Sequence, residues 1–352
     1  MRRNFWLSLI EQVFMTCSII FFYSCSNNQL ENSFVREYDK NIIIIIDGNN
    51  NLNKYSDALV ENLKKPYIKY PSTQITLIYN TKNKLKIYDL YRNDSILLPK
   101  ENFYNANGLQ KYLKKYTSMY HVRENILILW SHGTGWINST RSFGDDGGNN
   151  INIYELAKIL PIKFDCIVFD ACYMSCIENL FELREKTRYV LSSPNVVPVD
   201  GIIDNNTLNL LCKSNDIKEK LISICNYYKK KHSNNSINIS LALTETSCLQ
   251  KIAMQIANSD IKIQKNETYN LNNFMFRNYK IFYDIKEVFS KTELQNLNID
   301  FNKLIVYNVN GINNTFISSG VSIFVPTNNE IYYNSYSKTS WEKYTNWLKK
   351  FE

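Results

Sequence analysis

"NIIIIIDGNNN", Asn41 to Asn51, sets five consecutive isoleucines directly before an Asp-Gly-Asn corner. A strand with one wet face alternates apolar and polar residues. An unbroken apolar run bounded by turn residues suits a strand buried on both faces, as in a parallel sheet covered by helices on each side. After the corner, Tyr55, Leu59 and Leu63 recur at helical spacing until Pro66 ends the pattern.

The same unit repeats along the chain. "QITLIY" (74–79) precedes a helical face of Leu109, Tyr112, Leu113 and Tyr116. "NILILW" (125–130) precedes Ile153, Leu156, Ala157 and Leu160. "CIVF" (166–169) leads into Ile177, Leu180, Phe181 and Arg184, followed by "YVLSS" (189–193). Strands alternating with helices imply crossover connections, and so a three-layer α/β/α sandwich with a mostly parallel central sheet. Beyond Asn205 the pattern thins. "SINISLALTET" (236–246) reads as a strand, Leu249 to Ile256 as a helix, and 303–327 as strands around an Asn310-Gly311 turn. There is no internal repeat and no linker rich in Pro, Gly or Ser, so residues 41–352 read as one domain. The stretch 139–152, "STRSFGDDGGNNIN", reads as its one long flexible loop.

Composition agrees with a globular chain: of 352 residues, 44% are hydrophobic and 14% aromatic, enough apolar surface to offset the entropy of ordering. The net charge is +8, but the basic residues are scattered. "YYKKKHSNN" from Tyr227 is the densest basic spot and reads as a solvated helix end, so nucleic acid is not an expected partner.

The first residues read as an address. Arg2 and Arg3 precede an apolar run, Val13 to Tyr23, too short to span a bilayer. Residues 1–24 are therefore expected to be a signal peptide. Ser24-Cys25 resembles a loose bacterial lipobox, which would make Cys25 a lipidated first residue followed by a polar tether, 25–40, at the cell envelope. Simple secretion is the alternative. Six cysteines then remain, Cys166, Cys172, Cys176, Cys212, Cys225 and Cys248, too sparse for a disulfide scaffold and expected to be mostly free.

In a parallel sheet, ligands bind beyond the carboxyl ends of the strands. Asp47-Gly48-Asn49, Ser131-His132-Gly133, Asp170-Ala171-Cys172 and Ser192-Ser193 each follow a buried-strand run, so all four are expected on that edge. Of the three histidines, His121 and His232 lie in charged surroundings and read as surface residues, whereas His132 sits between a core strand and glycines. Cys172 precedes a helical pattern, where unpaired amides would favour the thiolate. A Cys/His pair there is equipped to attack an acyl carbon. Cys176, one helical turn further on, reads as packing. A zinc site from Cys166, Cys172, Cys176 and His132 lacks a usual ligand spacing.

These residues resemble the clostripain-like cysteine peptidases, relatives of caspases, legumains and gingipains. "LILWSHGTGW" (127–136) is similar to the family's histidine segment and "FDCIVFDACYMSCIE" (164–178) to its cysteine segment. "IIIIIDGNNNL" (42–52) and "SSGVSIFVP" (318–326) resemble its first strand and a late strand. The resemblance implies a caspase-like fold and an endopeptidase cutting after Arg or Lys. Cys172 would be the nucleophile, His132 its proton partner, and the N–H groups of Gly133 and Cys172 the oxyanion hole. It also implies Asp170 in the pocket for the basic side chain, with local hydrogen bonding at the corner as that residue's other reading. Asp200 in "VPVDGI" would be a second pocket acid, although Gly201-Ile202 stands where the family has Gly-Trp. Self-cleavage after Arg141 and calcium at Asp145 and Asp146 follow from the same resemblance; no cofactor is required. Two rivals stand beside it: a surface binding protein of the same fold without catalysis, and an acyl transferase.

Overall fold

The computed structural model describes residues 36–65, 72–90, 92–99, 105–137, 143–146, 149–234, 238–276, 278–326 and 330–351. Residues 1–35, with Cys25 and the expected signal peptide, and the 138–142 segment with Arg141 lie outside them. The compact unit runs from Glu37 to Glu352, and Lys40 already belongs to the sheet, so the fold begins a little before the expected end of the tether.

The central sheet has nine strands: β1 (Lys40–Asp47), β2 (Thr73–Asn80), β3 (Lys84–Asp89), β4 (Asp94–Pro99), β5 (Glu124–Trp130), β6 (Phe164–Asp170), β7 (Thr187–Ser192), β8 (Ser240–Glu245) and β9 (Ile305–Asn310). They lie in the order β9-β8-β7-β6-β5-β1-β2-β3-β4. The five from β7 to β2 are parallel, and antiparallel strands extend both flanks.

Every residue of β1 is buried. Its isoleucines alternate between two separate cores, Ile43 and Ile45 facing one way, Ile42, Ile44 and Ile46 the other. Helices α1 (Asn53–Leu63), α5 (Asn205–Cys212) and α6 (Ile217–Lys231) cover the second face. Helices α2 (Ala106–Ser118), α3 (Ile153–Ile159), α4 (Ile177–Leu183) and α7 (Leu249–Ala257) cover the first. Hiding five isoleucines from water contributes on the order of 10 kcal/mol before ordering entropy is subtracted. That explains why this run, more than any other, commits the chain to a two-sided sheet.

Several expectations change. The inward face of α1 is Ser56, Val60 and Leu63, with Leu59 packed half-buried against the same core, while Tyr55 is exposed; Ser56 Oγ bonds Tyr79 Oη (3.0 Å) and packs under the Gly48 corner. His232 is not a surface residue: only 2% exposed, it sets its ring edge-on to Tyr228, and its Nε2 lies 3.1 Å from Gly201 O. Residues 303–327 do not form a hairpin. β9 joins the main sheet beside β8, while Ser322–Phe324 pairs with Tyr279–Asp284 in a separate three-stranded sheet that includes Asn273–Phe276. The 139–152 stretch is not wholly loop either. Phe143–Asp146 pairs with Asn149–Ile151, and buried Phe143 meets Phe169 edge-on, 5.6 Å between centroids. Among the described residues no helix is long and apolar enough to cross a membrane.

Candidate active site

Strand register builds the site. Trp130 at the end of β5 lies directly opposite Asp170 at the end of β6 and opposite Ile46 of β1. His132 and Cys172 therefore each leave the sheet two residues beyond a paired position, on the same edge as Asp47 and Ser192. The corners touch: Ser131 Oγ donates to Asp47 Oδ2 (3.3 Å), Tyr173 N to Asn195 O (2.9 Å), and Ser175 N to Ser193 O (2.9 Å).

Gly133 is a glycine because the cysteine corner is so near. A Cβ there would stand 2.4 Å from Cys172 O and 3.0 Å from Ala171 Cβ, closer than atoms approach without something moving. The bridge between Gly133 and Phe143 is closed through His132 O, which accepts from Gly144 N (3.0 Å). Among the described residues the N–H groups of Gly133 and Cys172 make no main-chain hydrogen bond outside regular elements.

Cys172 is half-buried, and its Sγ accepts from Val197 N (3.3 Å). Burial pushes its thiol above the usual value; the Val197 N–H acts against this and the Asp170 carboxylate adds to it. The expected help from a helix terminus is not there. The helix starts only at Ile177, with Cys176 as its N-cap, so Cys172 lies in the turn four residues before that cap. Cys176 is not inside the helix but is extended, fully buried, and bridged to Ser322. All six described cysteines are free.

The turn after Cys172 is held from outside. Tyr173 is left-handed (φ 60°), a conformation that costs a bulky residue of order 1–3 kcal/mol. Its ring stacks on Phe282 (5.3 Å) and its hydroxyl donates to Met275 O (2.7 Å). Ser175 Oγ donates to Gly320 O (2.7 Å), which gives the "SSGVSIF" stretch its task of bracing the cysteine corner.

Glu178 is fully buried behind the corner. Its Oε1 accepts from Phe324 N (2.9 Å) and Tyr336 Oη (3.1 Å), and burial raises its carboxyl to about 7. A carboxyl whose folded pKa is raised stabilises the fold fully below its unfolded value, and that contribution is lost as pH rises through the folded value. Unfolding stability is therefore expected to fall between about pH 4.5 and 7 by up to about 3 kcal/mol from this group. Denaturant titrations of wild type and Glu178→Gln should show the slope flattened in the variant; equal slopes would assign it elsewhere.

Asp170 is 3% exposed, and its Oδ1 and Oδ2 accept from Ile202 N and Ile203 N, both at 2.9 Å. Burial raises its carboxyl to about 6, opposed by those two N–H groups. Gly201, left-handed at φ 64°, could carry no Cβ: it would meet Asp170 Oδ2 at 2.4 Å. The local hydrogen bonding weighed for Asp170 is thus present, and it fixes the loop that carries Val197 and Asp200. Asp200 is exposed at the tip of that loop, whose main-chain oxygen accepts from Lys231 Nζ (2.8 Å). Asp146 is buried, with Asn49 donating to its Oδ1. Among the described residues no group of three or more His, Cys, Asp or Glu is gathered to hold a metal.

Sequence reasoning missed Asn51, Tyr173, Glu178 and Val197. Asn51 was signalled faintly by three asparagines in a row. The other three had no signal, because what they do depends on partners far away in sequence.

A model of the clostripain family matches residues 44–352. No curated protein matches the chain. Among solved structures, the chain is similar to a secreted C11 cysteine protease from Bacteroides thetaiotaomicron, "iotapain", with a TM-score of 0.74 at 20% identity over 88% of this chain and 99% of that one. It is similar to a secreted C11 cysteine protease from the same organism in complex with an irreversible peptide inhibitor (TM-score 0.72, 18% identity, 88% and 99% covered). A third likeness is to an inactive zymogen C11 protease from Parabacteroides distasonis (TM-score 0.70, 20% identity, 88% and 99% covered). At these identities the structures speak for the fold.

Proposed function

The chain belongs to the clostripain family and is a cysteine peptidase, and from that premise we propose that it is an exported endopeptidase cutting after Arg or Lys through a Cys172/His132 dyad. The observation that supports this reading is the shared corner: two strand ends in register bring His132 and Cys172 to one edge of the sheet, with Gly133 packed against the main chain of Cys172. The thiol proton passes to His132 as Sγ bonds the acyl carbon. The resulting oxyanion is received by the N–H groups of Gly133 and Cys172. His132 returns the proton to the departing amine, and water, deprotonated by His132, then cleaves the thioester and frees the thiol. A raised resting thiol pKa fits a site in which the proton moves within the pair when substrate arrives, rather than one that stores a free thiolate.

Specificity is assigned to Asp170, buried at the end of β6, with Asp200 exposed on the loop that Asp170 holds. A buried carboxylate is favourable when a substrate guanidinium or ammonium completes its pairing. Self-cleavage after Arg141, the one basic residue of its loop, and lipidation at Cys25 complete the proposal; the inhibitor-bound and zymogen relatives and the secreted one are compatible with it.

An arginyl chloromethyl ketone tests the reading directly. It is expected to inactivate the enzyme stoichiometrically, with the adduct mapped to Cys172; an adduct on any other cysteine would overturn the dyad. Intact mass of the detergent-extracted protein reports in the same run a cut after Arg141 and a lipid on Cys25. An unmodified, uncut active chain removes both.

A further inference from the structure

The three consecutive asparagines after β1 do three different jobs. Asn49 donates to Asp146, and Asn50 braces the corner through its Nδ2 to Asp47 O (3.2 Å) and its Oδ1 from Leu52 N (2.8 Å). Asn51, exposed and just ahead of α1, reaches across to the histidine corner: its Oδ1 lies 2.6 Å from His132 Nε2. We propose that Asn51 is the positioning residue of the dyad, holding His132 as the Nε2–H tautomer so that Nδ1 is the nitrogen that exchanges a proton with Cys172. The proposal rests on the reading of His132 as the proton partner.

An amide oxygen only accepts, so the ring nitrogen facing it must carry hydrogen. A neutral imidazole carries one such hydrogen, and the lone pair is then on the other nitrogen. A directed acceptor also fixes the ring plane, and a base held in orientation is what makes general acid–base catalysis efficient. The neutral amide matters as well. A carboxylate in its place would stabilise the imidazolium and hold back the proton that must go to the departing amine. Since Asn50 does the structural work of the corner, truncating Asn51 should leave the fold in place.

Three variants separate these effects. Asn51→Ala is expected to lower kcat on an arginyl amide by about 10- to 100-fold with KM within about twofold of wild type. Asn51→Asp is expected to shift the acid limb of the kcat/KM profile, where His132 must be neutral to accept the thiol proton, up by about one pH unit or more, and Asn51→Gln to recover part of the activity lost in Asn51→Ala. Nitrogen-15 imidazole spectra supply a readout apart from turnover; the chain has 3 histidines, so single His variants assign the signals. Wild-type His132 should appear as the Nε2–H tautomer in the neutral range. A Nδ1–H tautomer, or an Asn51→Ala enzyme with wild-type kcat and pH profile, overturns the proposal. If Cys172 and His132 variants themselves stay active, the dyad is what has failed; if they are inactive while Asn51→Ala is normal, only the role of Asn51 falls.

Discussion

Replacing Cys172 with Ala is expected to reduce hydrolysis of an arginyl amide by more than about 10⁴-fold, the scale on which losing a nucleophile registers, with little change in thermal stability. The thiol is half-buried, and its described hydrogen bond is the one from Val197 N, so truncation removes one contact and a small volume. Cys176→Ala should do the reverse. That side chain is fully buried between α4 and the Ser322 strand, so its loss leaves a void costing about 1 kcal/mol or more and lowers Tm by several degrees, while activity per folded molecule persists. Calorimetry and initial rates on the two variants, four residues apart, separate reagent from packing. An active Cys172→Ala enzyme ends the dyad assignment, and an inactive but fully stable Cys176→Ala enzyme would mean that the wrong cysteine had been chosen.

His132 and Cys172 were legible in the sequence for a physical reason. Continuous apolar runs fix where parallel strands end, and a parallel sheet aligns those ends, so polar residues directly after such runs must share one edge. Ile42 to Ile46 and "ILILW" gave that information without any knowledge of contacts. What the pattern could not supply was anything depending on distant partners. Tyr173 adopts its left-handed conformation because Phe282 and Met275 O hold it, from more than a hundred residues away. Glu178 looks like an ordinary helical charge, yet it faces Phe324 N and Tyr336 in the core. His232, at the end of a lysine run, reads as solvated by every local rule, and only the fold shows Gly201 O beside it. The supposed helix-terminus assistance to Cys172 failed for a related reason: helical periodicity locates a face better than a first residue, and the helix begins later than the apolar spacing suggests.

The second large effect follows from the proposed role of Asp170: if its carboxylate receives the substrate cation, specificity depends on pH. Its carboxyl is raised to about 6, so it is an anion above that value and neutral below it. Each oxygen accepts from one main-chain donor, Ile202 N or Ile203 N, and a carboxylate oxygen has a second lone pair with which to meet a cation. The ratio of kcat/KM for an arginyl substrate to that for its citrullinyl counterpart, which has the same shape but no charge, cancels the titration of Cys172 and His132. That ratio is expected to be high near pH 8 and to fall about 10- to 100-fold as pH drops through 6, in line with removal of a desolvated charge pair. Asp170→Asn should flatten it at the low level. It should also cost stability, since an amide group can accept from one of the two main-chain donors and must face the other with its own N–H. Asp200→Asn, at an exposed loop tip, should change the ratio by no more than a few-fold, in keeping with the small worth of screened charges. If the ratio is instead flat from pH 5 to 8 in wild type and collapses in Asp200→Asn, recognition of the cation belongs to Asp200. Asp170 would then act only through the Ile202–Ile203 loop, keeping Val197 N against the Cys172 sulfur.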